Sequence, residues 1–313
     1  MTTKKEKNEA EKSLRSNGAL IIFFLTVALI FVYNDAAKDG FVKGLKLSAF
    51  SVIPAIFPFF ILSDFLFVFY ELKKGISGSL FEKIFGISSS GFKAYLIGIL
   101  CGFPLGVKCA SELYRQNKIT LYECQRLSAV ASSPSLAFVI SGVGLGLRGS
   151  LKDGILLYFS VIVSSALTGI FFKKKEQKIE FCEEISEQTF NLADSIRKAA
   201  YSSISVGAYI SFFSIICTIL ISSAKNELLS LIISSFLEIG NASVLISNSS
   251  ALPSDLGFSL TAFALGFSGL SVFMQGLEYL PKEASKTKIF LMKLVQGVIS
   301  FFTSCILYNL FVQ

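Results

Sequence analysis

The feature that most constrains this chain is that its long apolar stretches are interrupted from within. Residues 92–108, FKAYLIGILCGFPLGVK, reach the turn-forming run Gly102-Phe103-Pro104 before they are long enough to cross a bilayer, and Gly106 and Lys108 follow at once. Pro54 and Pro58 fall inside 47–70, the SSPS run of residues 132–135 falls inside 128–147, Glu238, Gly240 and Asn241 fall inside 227–247, and Gly266 and Gly269 fall inside 260–280. A broken helix exposes N–H and C=O groups that hydrocarbon cannot pair, at several kcal/mol each, so such breaks must face protein, water or a solute.

That argument holds only if the chain is in a membrane, and composition says it is. Of 313 residues 52% are hydrophobic and 16% charged, with a mean hydropathy of +0.64; an ordinary soluble domain is roughly 25% charged. The 29 Lys and Arg against 22 acids sit at the ends of apolar runs and form no basic face, which is a topology signal and argues against nucleic acid. Histidine is absent, and the six cysteines have no CxxC spacing. Imidazole-based catalysis is therefore excluded, and no zinc ligand set, cofactor or catalytic residue can be assigned. The sequence reads as a non-enzyme.

The expected fold class is an all-α polytopic membrane protein built from two related halves with broken helices and re-entrant hairpins. Residues 1–17 form a polar head whose positive charges place it in the cytoplasm, and 18–172 form the first membrane half. Residues 173–198 read as a cytoplasmic amphipathic connector, too short to bury a core of its own, and 199–313 as the second half. Within the first half, 18–34 and 47–70 are expected as separate spans, 92–126 as a re-entrant hairpin and 154–172 as an uninterrupted span. The second half repeats the outline, with Gly266-Phe267 answering Gly102-Phe103. Matched interruptions in two halves point to a transporter-like core with its site where the breaks meet.

Candidate site residues follow from the breaks. Gly102, Pro104 and Gly106 open a half-helix N-terminus suited to an anionic group, and Lys108 either adds charge there or snorkels to the interface, the bland reading being the stronger. Ser132 and Ser133 either bond a ligand or mend the backbone freed by Pro134, and mending is preferred. Glu238 and Asn241, three apart, would share one face of a continuous helix, and a mid-span carboxylate is functional or paired. Gly266, Gly269, Ser271 and Gln275 mark the last break, where Gln275 either binds solute or ties two helices. Asp64, nearer its helix end, suits a functional role about as well as a structural salt bridge or a wet interface.

The segments GFPLGVKCASELYRQNKITLYECQRLSAV, FLEIGNASVLIS and ALGFSGLSVFMQ, taken in order with FNLADSIRKAAYSSISVGAYISFFS, resemble the YlbJ-like (SpoVV) sporulation integral membrane proteins, part of the wider group with a nucleoside-recognition or Gate domain. The resemblance implies a fold related to concentrative nucleoside transporters and a place in the outer forespore membrane of a Gram-positive spore former. It also implies a role in moving dipicolinic acid, a small planar dianion, during sporulation. On that reading the partners are the lipid bilayer and a small anionic metabolite, with a homo-oligomer or a spore-envelope protein as a further partner. The chain departs from the family pattern at Ala131-Ser132-Ser133, where two asparagines are usual, and at Phe273 and Met274; Glu238, Asn241, Gly266, Gly269, Ser271 and Gln275 keep it. The alternatives are a nucleoside-type transporter and a non-transporting scaffold for envelope assembly.

Overall fold

The computed structural model describes residues 20–21, 23–71, 84–174, 190–224 and 226–312, with the side chains of 66–71 left aside. The expected polar head at 1–17 and residues 175–189 of the expected connector lie outside the described residues. Those described are helical and include no strand. Five helical segments among them are long and apolar enough to cross a membrane.

The chain enters as α1 (Phe23–Val32) and continues with hardly a pause into α2 (Asn34–Leu47), a π-helical turn at Ser48–Val52 and α3 (Ile53–Glu71). The two apolar runs expected as separate spans are thus joined by helix. Tyr33 alone leaves helical geometry, at φ −107° and ψ 44°, while hydrogen bonds from Tyr33 to Leu29 and from Ala37 to Tyr33 carry the ladder across. The prolines do not break the helix either. Pro58 lies within α3, and the wider π-turn directly ahead of Pro54 lets the ladder change register, as one-turn π insertions do. Gly40 and Gly44 of α2 rest against Ser214 and Ser211 of α9 (Leu192–Ser223), the small-residue contact typical of membrane helices. Residues 192–198, at the end of the expected amphipathic connector, form the first two turns of α9, capped by Asn191, whose side chain accepts the Asp194 N–H.

The remainder repeats one order twice. In the first half, α4 (Ser89–Cys101) folds back on α5 (Leu105–Arg115); α6 (Leu121–Val130) and α7 (Phe138–Leu147, wound as a π-helix) run end to end across a break; α8 (Leu151–Phe171) then spans. In the second, α10 (Glu227–Leu237) folds back on α11 (Ile239–Asn248), α12 (Ser254–Phe267) and α13 (Gly269–Leu277) run end to end across a break, and α14 (Lys286–Phe311) spans. Hairpin, broken helix, span is the repeated unit. The expected pairing of Gly102-Phe103 with Gly266-Phe267 is therefore corrected: the Gly102 turn answers Glu238, and residues 131–135 answer Ser268. Turning back and passing straight through both call for small residues, so local sequence does not separate them.

The spans pack through small hydroxyls. Ser160, Ser164, Ser165 and Thr168 of α8 and Ser300 and Ser304 of α14 are wholly buried. Most of these hydroxyls return to their own helix, as Thr168 does to Ser164 O at 2.7 Å, which satisfies the group and lets neighbouring backbones approach.

Candidate functional site

The first hairpin turns at Gly102, whose φ of 84° and ψ of −175° belong to a region open essentially to glycine alone. A Cβ there would meet the Ser135 nitrogen at 2.6 Å, so the turn is pressed directly onto the break between α6 and α7. The Phe103 N–H donates to Ser133 O at 2.9 Å, joining tip to break through main chain alone. Within the break, Ser135 Oγ accepts the Phe138 N–H at 3.2 Å and Ser133 Oγ donates to Val130 O at 3.4 Å, the mending role expected of these serines.

The second hairpin turns at Glu238, which is extended at φ −149° and ψ 119° and only 1% exposed. Its carboxylate accepts the N–H groups of Gly240 at 3.0 Å and Asn241 at 2.7 Å, capping α11. Glu238 and Asn241 do not share a helix face, as a continuous helix would require. The carboxylate leaves the helix to satisfy the donors that the break exposes. Asn241 Nδ2 instead donates to Ser214 Oγ of α9 at 2.7 Å. Gly269, at φ 76°, lies against Leu237 O and Glu238 N, so the second tip meets the second break as the first tip meets the first.

The two breaks also meet each other. Ser268 is held in the left-handed region at φ 69°, a strained setting for a residue with a side chain. Its one hydroxyl proton is shared between Leu265 O at 3.1 Å and Ser132 O in the first break at 3.3 Å. Ser132 O takes a second, shorter bond from Lys293 Nζ of α14 at 2.7 Å. That ammonium also donates to Gln296 Oε1 at 3.1 Å, while Gln296 Nε2 donates to Ser133 Oγ at 3.3 Å. Lys293 is 3% exposed and no carboxylate pairs with it among the described residues.

Lys293 and Gln296 were absent from the residues singled out by sequence. The signal was present: LMKLVQG places a lysine and a glutamine one turn apart inside an otherwise apolar span, and an ionisable residue there marks a functional position.

The remaining candidates divide. Gly106 packs on the Ala131 carbonyl and Gly266 on Ser300 and Gln296 O, so both serve close helix approach. Pro104 is buried within the first turn, joined to Phe103 by a cis peptide bond. Lys108 neither snorkels alone nor enters the junction; it pairs with Asp64 of α3 at 3.3 Å. Ser271 is wholly buried and accepts from Gln275 Nε2 at 3.4 Å, and Gln275 Oε1 is buried without a partner.

Two pockets flank the junction. One, a cavity of about 20 Å³, is lined by Phe103, Ser135, Glu238 and Gly240 among others. The other, also of about 20 Å³, is lined by Ser128, Ser132, Lys293, Phe267 and Phe273 among others. Val272 of α13 lines both.

This geometry of paired hairpins and broken helices can be set against known proteins. No protein-family model matches the chain. The sporulation integral membrane protein YlbJ of Bacillus subtilis (strain 168) is 24% identical over 90% of this chain and 79% of its own length. The chain resembles YlbJ. A solved structure of CNTnw, a doubly substituted variant in an outward-facing state, superposes with a TM-score of 0.53 at 14% identity, covering 99% of this chain and 87% of the other. The chain is therefore an integral membrane protein with a concentrative-nucleoside-transporter-like fold. The resemblance read from the residues and the expected fold class both hold.

Proposed function

We propose that the protein is a membrane permease for a small organic anion, bound where the two hairpin tips and the two helix breaks converge. The observation that carries this is the burial of unwound main chain at the junction: the segments at Gly102, Ser132–Ser135, Glu238 and Ser268 lie against one another and away from lipid. Main chain unwound in that way is tolerated only in a protein-lined interior, which keeps it from an intolerable lipid contact and is the setting in which carriers bind solute. Lys293 Nζ donates into the junction with no carboxylate paired to it among the described residues, a donor that suits an anion. The aromatic walls supplied by Phe267 and Phe273 suit a planar one.

Dipicolinate is the first cargo to try, because the relative is a sporulation protein and the resemblance implies that solute. On the same reading the protein sits in the outer forespore membrane with its N-terminus in the cytoplasm. A nucleoside is the second cargo, favoured by the backbone likeness to CNTnw over nearly the whole chain. Proteoliposomes bearing the purified chain are expected to accumulate labelled dipicolinate above empty liposomes. Uptake of uridine without dipicolinate moves the assignment to nucleosides. Uptake of neither, with no ligand raising the melting temperature, leaves the scaffold reading.

A further inference from the structure

Lys293 lies two turns into α14, and its ammonium is held by oxygen alone: the Ser132 carbonyl at 2.7 Å and the Gln296 carboxamide oxygen at 3.1 Å. We propose that the Lys293 ammonium is a resident cation, occupying from within the chain the place where an inorganic coupling cation would sit, so that the protein works without sodium.

Three observations carry this. First, the acceptors are the right kind. Carbonyl oxygens released where a membrane helix unwinds are the usual ligands of a monovalent cation in carriers with discontinuous helices, and Ser132 lies in such a break. A carboxylate partner would mark an ordinary ion pair, and among the described residues there is none.

Second, the oxygens are preset. Gln296 Nε2 is tied to Ser133 Oγ at 3.3 Å, which fixes Gln296 Oε1 toward the ammonium, and the Ser132 carbonyl belongs to a break whose next residue is tied to the first hairpin tip by the Phe103 N–H to Ser133 O bond at 2.9 Å. Third, the position is the one an ion would need to control the fold. Through Ser132 O the charge links α14, the break in the first half and the strained Ser268 of the break in the second. A side chain covalently attached to α14 cannot diffuse away, and at 3% exposure it is shielded from competing water.

The inference goes beyond the transport reading and does not depend on the cargo. Its test is thermal unfolding of the purified full-length chain in detergent, in sodium chloride against choline chloride at equal ionic strength. Wild type is expected to melt at the same temperature in both. Lys293→Ala, which empties the position, is expected to melt lower in choline and to regain roughly 2–4 °C as sodium saturates. Lys293→Met, which fills the space without charge, is expected to stay blind to sodium.

Saturable stabilisation of the wild type by sodium overturns the proposal, as does a folded Lys293→Ala chain that sodium leaves unchanged. Accumulation of Lys293→Ala only when sodium is present supports it. If that variant accumulates in neither salt, the wild type decides: sodium stabilisation refutes the resident cation and its absence upholds it. A chain that moves no solute gives the same melting answers, so failure of the permease reading remains separate.

Discussion

The carboxylate of Glu238 accepts two main-chain N–H groups of the helix it precedes, from Gly240 at 3.0 Å and from Asn241 at 2.7 Å, in surroundings that leave it 1% exposed. A mid-membrane acid that reads in sequence as a solute ligand is thus the cap of a re-entrant helix. Glu238→Ala is expected to leave two buried donors unmet and to cost about 1–3 kcal/mol. Glu238→Gln keeps one acceptor in place and is expected to lose markedly less. Melting curves of the two variants in detergent make the comparison.

Gly102 turns the first hairpin in a conformation reserved for glycine, with Ser135 N where a Cβ would go. Gly102→Ala is expected to cost about 1–3 kcal/mol from backbone strain alone, with the clash in addition. Because the strain lies at the meeting of tip and break, limited proteolysis should cut the variant near residues 102–105 well before wild type. Equal protection of the two chains contradicts this account of the turn.

Gln275 is a different kind of residue, since its Oε1 is buried with no partner and its Nε2 makes one long bond to Ser271. Its contribution to stability is expected to be small. Gln275→Ala is expected to melt within about 1 kcal/mol of wild type. Uptake in proteoliposomes should nevertheless fall about tenfold, the effect of one lost hydrogen bond to the solute. A variant with full uptake places Gln275 outside the path.

Lys108 and Asp64 join α5 to α3 at 3.3 Å, and both side chains remain partly exposed, at 30% and 24%. A pair in that setting is worth about 0.2–1 kcal/mol and weakens with salt. A double-mutant cycle with Lys108→Met and Asp64→Asn, read by melting temperature at low and high ionic strength, should give a coupling in that range that shrinks as salt rises. A larger, salt-independent coupling shows the pair to be shielded from solvent.

By itself the sequence determined that this chain lives in a membrane, that its helices break at Gly102, Ser132–Ser135, Glu238 and near Gly269, and that the breaks recur in two halves. Those conclusions rest on local chemistry, since hydropathy, proline and glycine act on the residues that carry them. Tertiary structure alone decided which breaks turn back and which pass through, because Gly102 and Ser268 differ in what packs beside them and hardly in composition. It also decided that the Glu238 carboxylate bends back onto its own helix while Lys293 reaches across to Ser132. The two lie 161 positions apart in sequence, and the bond between them is set by where α14 lies against α6, a relationship no short stretch of chain contains.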